Sequence, residues 1–162
     1  MKIAKIINNN VVSTCDEEGR EIIVMGRGVG FKAKEGSTID EEKVEKIFRL
    51  ESQNTMDKFK ELLVNLPMEH VQISAEIISY AKEVLNRPIN PNVYITLTDH
   101  INFALERYKQ KMMFSNPLIR EVRSFYHAEY LIGEYAIAMI ERGLGVKLPV
   151  DEAASIALHI VN

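Results

Sequence analysis

Cysteine is almost missing from this chain: Cys15 stands alone among 162 residues. One thiol cannot close an internal disulfide, and it has no CxxC partner with which to hold zinc. Long apolar runs are missing as well. Nothing approaches the about 18 consecutive residues a membrane helix requires, and the opening Met1-Lys2-Ile3-Ala4-Lys5 is not the apolar core of a signal peptide. No membrane insertion is expected, and the expected location is cytoplasmic. A large charge of either sign is the third absence. The formal net charge of -3 excludes a broadly basic nucleic-acid binder. Residues 1–50 carry nine Lys/Arg against nine Asp/Glu, but residues 1–34 alone carry six cations (Lys2, Lys5, Arg20, Arg27, Lys32, Lys34) against four acids. Any positive field is local, so a nucleic acid would have to be held by shape, stacking and few phosphate contacts, or by two copies of the module.

Signatures of catalysis and metal binding are missing too. The four histidines, His70, His100, His127 and His159, show no HxxxH or HExxH spacing and no nearby cysteine, so neither a metal nor a cofactor is expected. No GxSxG elbow supports a serine triad. The glycines at 26, 28 and 30 fail as a dinucleotide fingerprint, because position 31 is Phe31 and no helical pattern follows at once.

What is present is an apolar content of 46%, enough for a core in one ordinary domain or two small ones. The first fifty residues read as β-structure. Residues 2–7 and 11–15 form strands joined by Asn8-Asn9-Asn10, whose side chains suit tight-turn geometry. Glu21 to Met25 is a third strand and Lys43 to Leu50 a fourth, after an acidic loop. Four such strands make a small antiparallel sheet with one apolar face, marginal alone, and a second copy packed face to face makes a homodimer the natural expectation.

From about Glu51 the periodicity becomes helical. A helix capped by Asn54 or Thr55 holds Phe59, Leu62 and Leu63. Ser74 to Leu85 is a second, Asn90-Pro91 opens a third running through His100 towards Met113, and Asn116-Pro117 begins a fourth, long or bent, that ends at Gly143 or Gly145. Asp151-Glu152 starts the last. The expected fold is therefore α+β and multidomain: the sheet, then an all-α bundle of about five helices. Domain limits are expected at 1–52 and 58–162, with Gln53 to Asp57 as the hinge. A helix that reaches Asn162 uncapped reads as the cut end of a longer protein.

The richest local signal is Gly26-Arg27-Gly28-Val29-Gly30-Phe31, set directly after Ile22-Ile23-Val24-Met25. Glycines allow close approach and positive φ, Arg27 brings a planar donor fork and Phe31 a stacking face, the parts a single-stranded or bulged RNA asks for. A surface loop that uses glycine only to turn stays open as the alternative. In the helical part His100 follows Asp99, which as an i+1 neighbour faces elsewhere. His159 lies seven residues after Glu152 on one helix face, among the small residues Ala153, Ala154 and Ala157 that permit close helix approach.

Four stretches occur in one order: Met1 to Asn10, Val24 to Phe31, Leu97-Thr98-Asp99-His100-Ile101-Asn102-Phe103-Ala104, and Asp151-Glu152-Ala153 with Ala157 to Asn162. In that combination the chain resembles the BglG/LicT family of bacterial transcriptional antiterminators over its whole length. The resemblance implies a dimerising co-antiterminator RNA-binding domain followed by the first of two phosphotransferase-system regulation domains. It implies an activator that binds an RNA hairpin in a leader transcript of a sugar-utilisation operon, prevents the terminator from forming, and catalyses nothing. It assigns RNA contact to Lys5, Asn8, Asn10, Gly26, Arg27 and Phe31, and phosphorylation, with a sugar-specific phosphotransferase-system permease as donor, to His100 and His159. His70 and His127 match no motif. The competing expectation is a histidine phosphotransfer relay; a DNA-binding repressor lacks a helix-turn-helix with a basic second helix.

Overall fold

The computed structural model describes residues 1–112 and 114–161. Met113 and Asn162, to which two of the expected helices extend, lie outside the described residues. The chain divides into two compact units, Met1–Met68 and Glu69–Asn162.

In the first unit, β1 (Lys5–Asn8), β2 (Val11–Cys15), β3 (Glu21–Met25) and β4 (Lys46–Phe48) form one antiparallel sheet in that order. Alternation sends one set of side chains to each face. Ile6, Val12, Val24 and Ile47 lie opposite one another in register and bury against Ile3, Val29 and Ile39 from the flanking segments. The other register row is Lys5, Ser13, Ile23 and Phe48. On that side packs α1 (Gln53–Leu63), whose buried face is Met56, Phe59 and Leu63. Phe59, fully buried, meets the Phe48 ring edge-on with centroids 5.1 Å apart, a burial that stabilises by about 2–3 kcal/mol.

Polar bonds tie α1 down further. Lys60 Nζ donates to both carboxylate oxygens of Glu21 on β3 at 2.8 and 2.9 Å, and Gln53 donates to the same group at 2.7 Å. Burial pushes the Glu21 carboxyl up, but the bonds from Lys60 and Gln53 outweigh it and hold the group below its ordinary value.

Several expectations about this part need correction. Ser52, not Asn54 or Thr55, caps α1, its Oγ accepting from the Thr55 amide at 3.3 Å. Gln53 to Asp57, the expected hinge, is the start of that helix. The fourth strand is shorter than Lys43 to Leu50, because Glu41–Lys43 turns as a 3-10 helix capped by Asp40. With α1 on one face and Ile3, Val29 and Ile39 on the other, both faces of the sheet have partners from the same chain. A second copy is therefore not needed to cover an apolar face of the sheet.

The second unit is helical: α2 (Met68–Leu85), α3 (Val93–Lys109), α4 (Ile119–Phe125), α5 (His127–Leu144) and α6 (Asp151–Val161). Its main core joins Ile77 and Ile78 of α2, Leu97 and Ile101 of α3, Ile132 and Ile140 of α5, and Ile156 and Ile160 of α6. The expected fourth helix is two, because Tyr126 leaves helical backbone with φ -128° and ψ 52°. The close helix approach read from Ala153, Ala154 and Ala157 is present: all are buried, and α5 meets them with Gly133, where an added Cβ would lie 2.1 Å from the Ala153 carbonyl oxygen. Among the described residues no helix is long and apolar enough to cross a membrane.

Candidate functional site

The β1–β2 turn and the glycine-rich turn after β3 are zipped together. The Gly26 amide donates to the Asn10 carbonyl at 2.9 Å and the Gly30 amide to the Asn9 carbonyl at 2.9 Å. The Asn10 side chain joins in, its Oδ1 accepting from the Gly28 amide at 2.8 Å, while its Nδ2 has no partner among the described residues. Each glycine has its own reason. Gly28 takes φ +75°. At Gly26 a Cβ would stand 1.7 Å from the Lys43 carbonyl oxygen, and at Gly30 one would stand 2.4 Å from that of Asn8. The acidic segment closes the other side, Glu45 Oε2 accepting from the Arg27 amide at 2.8 Å.

This scaffold presents Arg27 and Phe31 outward. Phe31 is 55% exposed, with the Lys32 ammonium 5.4 Å from its ring centroid; an aromatic that exposed on a rigid turn is a ready stacking surface. Of the six residues assigned to RNA contact, Asn10, Gly26, Arg27 and Phe31 come together here. Gly26 is buried, so the close approach it permits is to the chain's own Lys43. Asn8 is engaged internally: Oδ1 accepts from the Asn10 amide at 2.8 Å, and Nδ2 donates to the Leu63 and Val64 carbonyls at 3.0 and 3.3 Å. Lys5 stands exposed about 10 Å along β1 from Asn8, and its charge reaches Asp57 of α1.

The second candidate lies between α3 and α6. His100 Nε2 and Glu152 Oε2 are 2.8 Å apart, with Glu152 buried. The His159 ring lies 4.9 Å from that of His100, centroid to centroid, at 41°. Burial pushes the His159 imidazole below its ordinary value and the neighbouring His100 adds to this, against the pull of Glu152 and Asp99. The two histidines that the motifs single out thus share one site. His70, by contrast, is buried and bonded through Nδ1 to Asn102 Oδ1 at 2.8 Å, and His127 is exposed at the start of α5.

Sequence reasoning missed Glu45 as the brace of the glycine turn and Glu152 as the direct partner of His100. The second was half visible in the seven-residue spacing to His159; its link to His100 spans 52 residues and needs α3 and α6 in contact. Among the described residues no group of three or more His, Cys, Asp or Glu is arranged to hold a metal ion.

Comparison with known proteins matches residues 1–57 to the CAT RNA binding domain and residues 75–162 to the PRD domain. The chain is 48% identical over 162 residues to transcription antiterminator LicT of Bacillus subtilis (strain 168), covering all of this chain and 58% of that protein. It is 47% identical over 162 residues to the beta-glucoside operon antiterminator of Dickeya chrysanthemi, covering all of this chain and 57% of that one. The chain therefore spans a little over half the length of these relatives. The crystal structure of GlcT CAT-PRDI superposes with a TM-score of 0.83 at 34% identity, over 99% of this chain and 95% of that one.

Proposed function

This chain belongs to the family that joins a CAT RNA binding domain to a PRD domain, and from that premise we propose that it is an RNA-binding transcriptional antiterminator acting on a leader-transcript hairpin of a sugar-utilisation operon. It works by binding and catalyses nothing: holding one RNA fold keeps the overlapping terminator from forming. A binder with a Kd of about 10 nM present at about 1 μM favours its hairpin by about 2.7 kcal/mol, enough to tilt two nearly balanced structures. The antiterminator names of two relatives similar over the whole chain support the reading.

The observation that carries it is the braced turn that holds Arg27 and the 55% exposed Phe31 beside the Asn10 side chain, whose Nδ2 has no partner among the described residues while its Oδ1 is fixed by the Gly28 amide. Arg27 and Lys5 reach phosphates, Asn10 a base or sugar edge, and Phe31 stacks on a base. Asn8 and Gly26 shape this surface from within. Two chains acting as a homodimer double it, which compensates for the few cations each supplies. A gel shift with a hairpin bearing two internal loops tests the assignment: Phe31→Ala and Arg27→Ala are each expected to lose binding while light scattering still counts two chains. Wild-type affinity in both variants rejects it.

Regulation falls to His100 and His159, with a sugar-specific phosphotransferase-system permease as the phosphoryl donor and the cytoplasm as the place of action. A phosphoryl group brings about two negative charges, set here beside the buried Glu152 carboxylate and able to shift the helical unit away from the RNA-competent arrangement. The 4.9 Å pairing of the two rings is also what a phosphotransfer relay would use. Labelled phosphate separates the readings, since a sensor keeps the label and a relay passes it to a third protein.

A further inference from the structure

We propose that at His100 the phosphoryl-accepting atom is Nδ1, and that Glu152 is the positioning residue that makes it so by holding the ring in its Nε2–H tautomer. The inference rests on the reading of His100 as a phosphoryl acceptor and adds which atom accepts and why.

A carboxylate only accepts hydrogen bonds. Across the 2.8 Å contact with Glu152, therefore, His100 Nε2 carries the proton and donates it. A protonated ring nitrogen has its electron pair in the π system and cannot attack phosphorus; the in-plane pair is then on Nδ1. That nitrogen diverges from Nε2 and so points away from Glu152, and it has no hydrogen-bond partner among the described residues. Glu152 is 5% exposed, so its orientation is set by the surrounding protein and not by solvent. The other imidazole at this site, His159, has no carboxylate within hydrogen-bonding distance among the described residues, so nothing comparable selects its tautomer. This is the carboxylate–histidine arrangement in which the hydrogen bond made by one ring nitrogen fixes the tautomer and the ring's orientation.

The step balances without further reactants. The bond from phosphorus to the donor's nitrogen or sulfur breaks, with its electron pair leaving on the donor, and a P–Nδ1 bond forms. The ring keeps its Nε2 proton and becomes a phosphoimidazolium whose positive charge faces the Glu152 carboxylate. No proton has to leave during transfer.

The test uses the whole chain labelled with 15N-histidine and phosphoramidate as donor, ammonia being the leaving group. Before phosphorylation, two-bond 1H–15N correlation near neutral pH is expected to show His100 as the Nε2–H tautomer; the opposite tautomer overturns the proposal and needs no variant. After phosphorylation, 31P coupling is expected to place the group on Nδ1 of His100, with the exposed His127 as the reference for what the reagent does unaided. A group on Nε2, or the same product distribution at His100 and His127, overturns the proposal while leaving His100 an acceptor. Label on other histidines with none on His100 overturns the reading beneath it. Glu152→Gln is expected to slow the reaction at His100 about tenfold, as for other carboxylate-backed histidines, and to spread product over both nitrogens. An unchanged rate with product on Nδ1 alone removes Glu152 from the account.

Discussion

Gly26 and Phe31 lie in one turn and fail differently when replaced. At Gly26 the obstruction is a carbonyl oxygen 1.7 Å from the new Cβ, a backbone atom that cannot swing aside. Gly26→Ala is expected to destabilise the first unit by about 3 kcal/mol, seen as a lower denaturation midpoint. Phe31 is largely exposed, so Phe31→Ala is expected to shift stability by less than about 0.5 kcal/mol and hairpin binding by about 1–3 kcal/mol per chain. Measuring unfolding and gel shift on both variants separates folding from contact; equal stability losses in the two would contradict the assignment. His159 makes a different prediction. Its imidazole is held below the ordinary 6.5, first by burial and then by His100, so the folded chain binds fewer protons there than the unfolded chain. The resulting stability is complete above about pH 6.5 and is lost as pH falls through the depressed folded value. Melting temperature against pH is expected to fall on the acid side, and less steeply in His159→Gln.

The decisive secondary-structure element is α1. It supplies Phe59 to the sheet, ties Glu21 through Lys60 and Gln53, and its C-terminal end offers the Leu63 and Val64 carbonyls to Asn8 at the end of β1, beside the candidate RNA surface. Phe59→Ala leaves a cavity against Phe48, and the expected cost is about 3–5 kcal/mol. Because the same helix ends on Asn8, hairpin affinity is expected to fall along with the unfolding midpoint, although Phe59 itself is fully buried. Calorimetry that finds the first unit undisturbed would show that α1 is only an attachment. The expected domain limits of 1–52 and 58–162 remain a proposal about which segments fold alone; in the structure α1 (Gln53–Leu63), which crosses the limit at 58, lies with the sheet.

Taken whole, a chain of net charge -3 cannot rely on a broad electrostatic field to hold RNA. If Lys5 and Arg27 of each of two chains are the phosphate contacts, about four counterions are released, and log K is expected to fall against log salt with a slope of about -3. A slope steeper than about -6 would mean that other cations carry the binding. If two chains pair as proposed, doubling the surface would raise affinity without making either chain basic. For the proposed phosphorylation, about two added negative charges would be large beside so small a net charge.

Much here was legible in the order of residues alone, because the signals are local. Glycine spacing and alternation mark the strands and their turn, helical periodicity marks the bundle, and the motif order points to antiterminators, which the domain matches and relatives bear out. What one element does to another was not legible. A helix read from its own periodicity does not reveal which apolar surface it covers, so periodicity alone groups α1 with the bundle; at Tyr126 no glycine or proline announces the break between α4 and α5. Glycine at position 26 signals close approach without saying to what, and the answer, Lys43, lies across the acidic segment. Most of all, the pairing of His100 with Glu152 joins residues on different helices, and contacts of that range exist only once the cores between them have packed.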